Sequence, residues 1–97
     1  MSCAFAKEFA SPMPAFLTTE YFRHTRTRPD RVLICDEWIL RGIRDPIREE
    51  VQSDGRIRRW VRISEFGGRV LRVILLPDGQ TVHNAFFDRQ FNGRPTL

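Results

Sequence analysis

The chain has 97 residues, 41% of them hydrophobic, which suits one small folded domain and argues against a disordered chain. Sixteen basic residues against twelve acidic ones leave a net charge of +4, with a sequence pI of about 10.0. Two cysteines, Cys3 and Cys35, are too few for a disulfide framework and do not form a Cys-x-x-Cys metal pair, and no apolar run approaches a membrane span.

The basic residues are almost all of one kind: Lys7 is the only lysine and the other fifteen are arginine. Arginine takes phosphate in a bidentate grip and stacks on bases. A GC-rich coding bias produces the same excess, so the count alone does not choose between them. The opening MSCAFAKEFASPMPAF is interrupted by Lys7, Glu8, Pro12 and Pro14 and lacks the continuous apolar core of a secretion signal. These features lead to the expectation of a reduced, cytoplasmic protein without metal, cofactor or membrane partner.

Residues 1–15 are expected to form a flexible N-terminal segment, 16–92 a single domain and 93–97 a C-terminal tail. A first helix is expected from Thr19 to about Arg28, with Thr19 as its cap, Glu20 at the positive end of the dipole and Pro29 forbidding continuation. Within it, His24 and Arg28 are four apart and share a face. Asp36 and Glu37 open a second helix with Trp38, Ile39, Leu40 and Ile43 on its apolar side, weakened by Gly42 and ended by Asp45-Pro46. Ile47 to Gln52 reads as an edge strand, and Ser53-Asp54-Gly55 as a turn.

Three strands then follow: Arg56 to Ile63, Arg69 to Leu76 and Gln80 to Phe87. Gly67-Gly68 suits a two-residue hairpin turn, and Pro77-Asp78-Gly79 a three-residue loop. The fold class is therefore α+β: two short helices, then a three- or four-stranded antiparallel meander with the helices on one face. A two-residue turn at Gly67-Gly68 puts Ile57, Val61 and Ile63 on one face with Val70, Arg72, Ile74, Leu76, Val82, Asn84 and Phe86. That face is expected under the helices, although Arg72 beside Asn84 sits oddly in a core. The opposite face would carry Arg58, Trp60, Arg62, Leu71, Val73, His83 and Phe87, with Arg62, Val73 and His83 in one row.

Arginines interleaved with Trp and His on an open sheet suit single-stranded RNA, where guanidinium groups take phosphates and rings stack on bases. The plainer reading is an outer face covered by snorkelling arginine stems. His24 and His83 are candidates for proton transfer near neutral pH, although a lone histidine is more often structural. The sequence has no Gly-rich phosphate loop, no Gly-x-Ser-x-Gly elbow and no His-Glu-x-x-His, so nucleophile-based hydrolysis has no support. Asp88 and Arg89 stand between Phe86-Phe87 and Phe91, a setting that predicts a fixed partner for each charge.

The run DPIREEVQSDGRIRRWVRI, followed by GRVLRV and DGQTVHNAFFDRQF, resembles a large group of uncharacterised small bacterial proteins. Their pattern is a helix ending in Asn/Asp-Pro, then Asp-Gly-Arg, an aromatic, a Leu-Arg-Val-Val strand and a last strand running into Asp-Arg-x-Phe. The likeness spans about Arg28 to Phe91 and is carried by Arg56, Trp60, Arg72, His83, Asn84, Asp88, Arg89 and Phe91. That group is in turn distantly similar to RelE/BrnT-like toxins, small α+β ribonucleases, so the resemblance implies a RelE-like fold and RNA-directed activity. More distant relatives carry His-Ala near the start of the first helix, where this chain has His24-Thr25.

On these grounds the expected function is RNA binding by a toxin-like domain, with metal-independent RNA cleavage as its catalytic extension. His83 is the candidate acid or base, Arg72 the candidate for stabilising charge on the phosphorane, and Arg58, Trp60, Arg62, Arg28 and His24 the candidate RNA contacts. The alternatives are a non-catalytic module that binds an acidic, antitoxin-like protein, or a small structural domain.

Overall fold

The computed structural model describes residues 16–92. The expected N-terminal segment 1–15 and tail 93–97 lie outside the described residues. The order is β1 (Leu17–Thr18), α1 (Glu20–Thr25), α2 (Asp36–Arg44), β2 (Arg48–Val51), β3 (Ile57–Ile63), a 3₁₀ turn (Ser64–Phe66), β4 (Arg69–Leu75), β5 (Thr81–Phe87) and α3 (Arg89–Asn92). Five strands form one sheet in the order β1-β5-β4-β3-β2. The α+β class holds, but the sheet is mixed rather than purely antiparallel, because β1 pairs in parallel with β5.

Local chemistry explains the boundaries. Thr19 caps α1 by accepting the Phe22 N–H at 3.1 Å, and Glu20 lies in the first turn. The α-helix stops at Thr25, and three-residue turn bonds such as Arg28 N–H to Thr25 O carry the chain on towards Pro29. Asp36 and Glu37 begin α2, Arg41 and Arg44 end it, and Asp45 is its C-cap before Pro46. β2 is the sheet edge that the sequence indicates. At the β2–β3 turn, Asp54 accepts the Arg56 N–H at 3.0 Å. At the β4–β5 turn, Asp78 accepts from the backbone of Gln80 and Thr81 and from the Thr81 hydroxyl.

The register corrects the face assignment. Ile63 pairs with Arg69, so the β3–β4 connection has five residues, 64–68, and its first three form the 3₁₀ turn. Phe66 explains the longer loop: its ring packs on Trp38 at 5.3 Å and on Phe87 at 5.0 Å, which folds the chain before the glycines are reached. Gly67 and Gly68 both take positive φ, 71° and 73°, but they close this wider turn and not a two-residue hairpin. The shift turns β4 over relative to β3.

The face under α1 and α2 therefore carries Val61, Ile63, Leu71, Val73, Leu75, Val82 and Ala85, packed with Phe22, Trp38 and Ile39. Arg72 and Asn84 do share a face, but it is the opposite one, with Trp60, Arg58, Ile74 and Phe86. The expected row of Arg62, Val73 and His83 does not exist: Arg62 pairs with Val70, and Val73 lies between Arg59 and Ala85. Gly42 has a packing role, since a Cβ there would stand 2.9 Å from Val73 Cγ2. Its lack of a side chain lets α2 settle on the sheet.

Cys35 is buried and disulfide-bonded. The chain's other cysteine, Cys3, lies outside the described residues. The expectation of reduced thiols is therefore corrected at Cys35, and the compartment argument loses that support. Among the described residues, no helix is long and apolar enough to cross a membrane.

Candidate nucleic-acid interface

The sheet face turned away from α1 and α2 divides into two parts. At one end lies a buried lock. Asp88 accepts from Trp60 Nε1 at 2.9 Å, from Arg72 Nη2 at 2.6 Å and from Arg72 Nε at 3.2 Å. Its other carboxylate oxygen accepts the Phe91 N–H at 3.0 Å, capping α3. Phe91 in turn stacks on Trp60, with centroids 5.7 Å apart. Burial alone would push the Asp88 pKa up; the bonds from Trp60, Arg72 and the Phe91 N–H outweigh it and hold the carboxyl at about 2.

The lock uses two residues that the sequence reading assigned to RNA. Trp60 is only 4% exposed, so its ring is covered and offers no stacking platform. Arg72 is committed to Asp88, and its guanidinium lies over the Trp60 and Phe86 rings at 5.5 and 5.0 Å. Asp88 has the fixed partners expected of it. Arg89 is exposed and has no hydrogen bond or ion pair among the described residues.

At the other end lies a half-exposed cluster around His83. Ile74 pairs with Asn84 but Leu75 pairs with Val82, so His83 is the extra residue of a β-bulge in β5. A bulge re-aims the side chain it carries. The His83 ring stacks on Tyr21 of α1, with centroids 4.9 Å apart, and its Nδ1 lies 3.1 Å from Thr19 Oγ1. Burial first, and then the positive charge of Arg56, lower the His83 pKa below its ordinary value and favour the neutral ring at neutral pH. Tyr21 is 52% exposed.

Arginines surround this pair. Arg31 donates to Asn84 Oδ1 at 2.9 Å and lies over Phe86 at 5.4 Å, bringing the loop after α1 onto the same face. Arg56 and Arg58 approach along β3, and their carboxylate contacts, to Asp54 and Glu50 respectively, are loose at 3.6 Å each. Such solvent-facing pairs hold little energy and are easily exchanged for another anion. Arg62 lies at the far end of β3, donating to Gly68 O at 2.8 Å. His24 is exposed on α1, and Arg28 is exposed in the turn beyond it.

The structure thus brings His83 and Arg58 to one half-face, and adds Tyr21, Arg31 and Arg56, which sequence reasoning missed. Trp60 and Arg72 go to the lock. The Tyr21–His83 contact joins residues far apart in the chain through a bulge, and strand alternation gives no signal for it. The chain matches no protein-family model, no curated protein and no solved structure. Among the described residues no cluster of His, Cys, Asp and Glu is arranged to hold a metal ion.

Proposed function

We propose that the protein binds single-stranded RNA on the half-face around His83, as a toxin-like RNA-directed domain. The observation that carries this reading is the stacked Tyr21–His83 pair, with Tyr21 exposed, on the half-face that also carries Arg31, Arg56 and Arg58. An exposed ring offers a sequence-tolerant stacking surface, and neighbouring guanidinium groups supply phosphate contacts. A duplex fits this arrangement less well, because its bases are already stacked and present no free ring face to Tyr21.

Metal-independent cleavage is the catalytic extension of the same reading. His83 and Arg56 support it by standing together, where a neutral ring N–H and a guanidinium would stabilise charge growing on the phosphorane. The test is fluorescence anisotropy with labelled single-stranded and duplex RNA over a salt series. Tight binding of the single strand, with affinity falling as salt rises, is expected. Binding that is absent, or equally strong for duplex, would contradict the reading. Product analysis in the presence of a chelator then tests cleavage.

A further inference from the structure

We infer that Thr19 fixes His83 in the tautomer whose outward nitrogen, Nε2, carries the proton, so that His83 meets RNA as a neutral N–H donor to a phosphate oxygen. This rests on the RNA-binding reading for the identity of the ligand, whereas the tautomer stands on hydrogen bonds alone.

The donors and acceptors meeting at one oxygen decide the tautomer. Thr19 Oγ1 already accepts the Phe22 N–H at 3.1 Å as the cap of α1, and the Thr19 N–H donates to Val82 O at 3.0 Å, which pins the residue to β5. The remaining neighbour of Oγ1 is His83 Nδ1 at 3.1 Å. A hydroxyl has one proton to give. If it goes to Nδ1, every group in the chain Phe22 N–H, Thr19 O–H and His83 Nδ1 is satisfied, and a neutral ring must carry its proton on Nε2. If Nδ1–H donated instead, Oγ1 would take two donors and its own proton would have no acceptor among these contacts. In a part-buried position that arrangement is the costlier one.

The consequence for chemistry is specific. An imidazole already protonated at its outward nitrogen cannot take a 2′-hydroxyl proton there without first giving up its own. It can bind a phosphate oxygen without carrying charge, alongside the guanidinium of Arg56. Thr19 is thus a positioning residue: one oxygen starts the helix and sets what the sheet offers to a ligand. Sequence reading recognised it only as a cap.

Long-range ¹H–¹⁵N correlation spectra of the full-length protein at neutral pH test the tautomer directly. Nε2–H is expected in wild type and in Thr19→Ser, whereas Thr19→Asp, which keeps the cap but can only accept, should move the proton to Nδ1. Nδ1–H in wild type would overturn the inference, as would an unchanged tautomer in a folded Thr19→Asp. The phosphate contact is read with a short labelled oligouridylate. Gln carries an amide N–H as far along its side chain as Nε2, so His83→Gln should bind nearly as well as wild type, while His83→Ala should bind about tenfold more weakly. Equal weakening by both changes would overturn the donor role. If wild type does not bind the probe at all, the RNA reading falls and takes the phosphate contact with it, while the spectra still decide the tautomer.

Discussion

Trp60 and Asp88, 28 positions apart in the chain, meet through one buried hydrogen bond of 2.9 Å. That bond joins the middle of the sheet to the residue that caps the C-terminal helical turn. Arg72 completes the set by neutralising the carboxylate. Removing Asp88 would leave an indole N–H and a guanidinium without their acceptor and α3 without its cap. Asp88→Ala should therefore destabilise the protein by about 3 kcal/mol in urea titrations. A loss below about 1 kcal/mol would show that the lock does not hold the fold.

The same carboxylate makes stability depend on acid. Its pKa falls from an ordinary 3.8 to about 2 on folding, so its contribution is complete above 3.8 and is lost as pH falls towards 2. The shift corresponds to about 2 kcal/mol. The stability gap between wild type and Asp88→Asn should close over that window. A gap that stays constant through it would contradict the pairing.

His83 gives a second pH dependence with the same sign. Its pKa is lowered from 6.5 in the folded state, so the unfolded chain binds a proton more readily. Stability from this residue is fully present above 6.5 and is lost as pH falls through the folded value. Melting temperatures measured from pH 7.5 down to pH 5 should drop more for wild type than for His83→Gln. Parallel curves would show that the ring is as easily charged in the folded protein as in the unfolded chain.

Gly42 separates helix propensity from packing. In an exposed helix Gly→Ala stabilises by about 1 kcal/mol. Here the added methyl would meet Val73 Cγ2 at 2.9 Å and Val61 Cγ1 at 3.3 Å, both held in the core. Gly42→Ala should accordingly lower stability by about 1–2 kcal/mol. A gain on substitution would mean that α2 can lift from the sheet at no cost.

Gly68 tests the turn. Its φ is 73° and an added Cβ would meet nothing within 4 Å, so any penalty comes from the backbone alone. Gly68→Val should cost about 1–2 kcal/mol and Gly68→Asn clearly less, because Asn tolerates the left-handed region. Equal effects in thermal melts would point to a different turn geometry.

These cases mark what the sequence made legible. The cap of α1 and the turns at Asp54 and Asp78 were readable because each depends on neighbours: Thr19 with Phe22, Asp54 with Arg56, Asp78 with Thr81. The edge position of β2 and the pinning of Asp88 were readable from charge beside apolar runs. Register was not, because Phe66 settles the β3–β4 loop by packing on Trp38 and Phe87, contacts that form only in three dimensions. The misfit of Arg72 with Asn84 in an aliphatic core was the visible sign of that error. The site was half legible: His83 and Arg58 stand out by type, while Tyr21 and Arg31 reach the face from α1 and from the loop after it.

The proposed RNA interface is one place on this molecule, the half-face around His83. The most direct measurement compares the affinity of single-stranded RNA for two charge-matched variants by anisotropy at fixed salt. One is the double variant Arg31→Gln with Arg56→Gln; the other pairs Arg44→Gln on α2 with Arg41→Gln, beside Glu37 and Glu65. The first should weaken binding about tenfold or more and the second about twofold or less. Equal losses from the two pairs would show that RNA responds to net charge alone and would contradict the proposed interface.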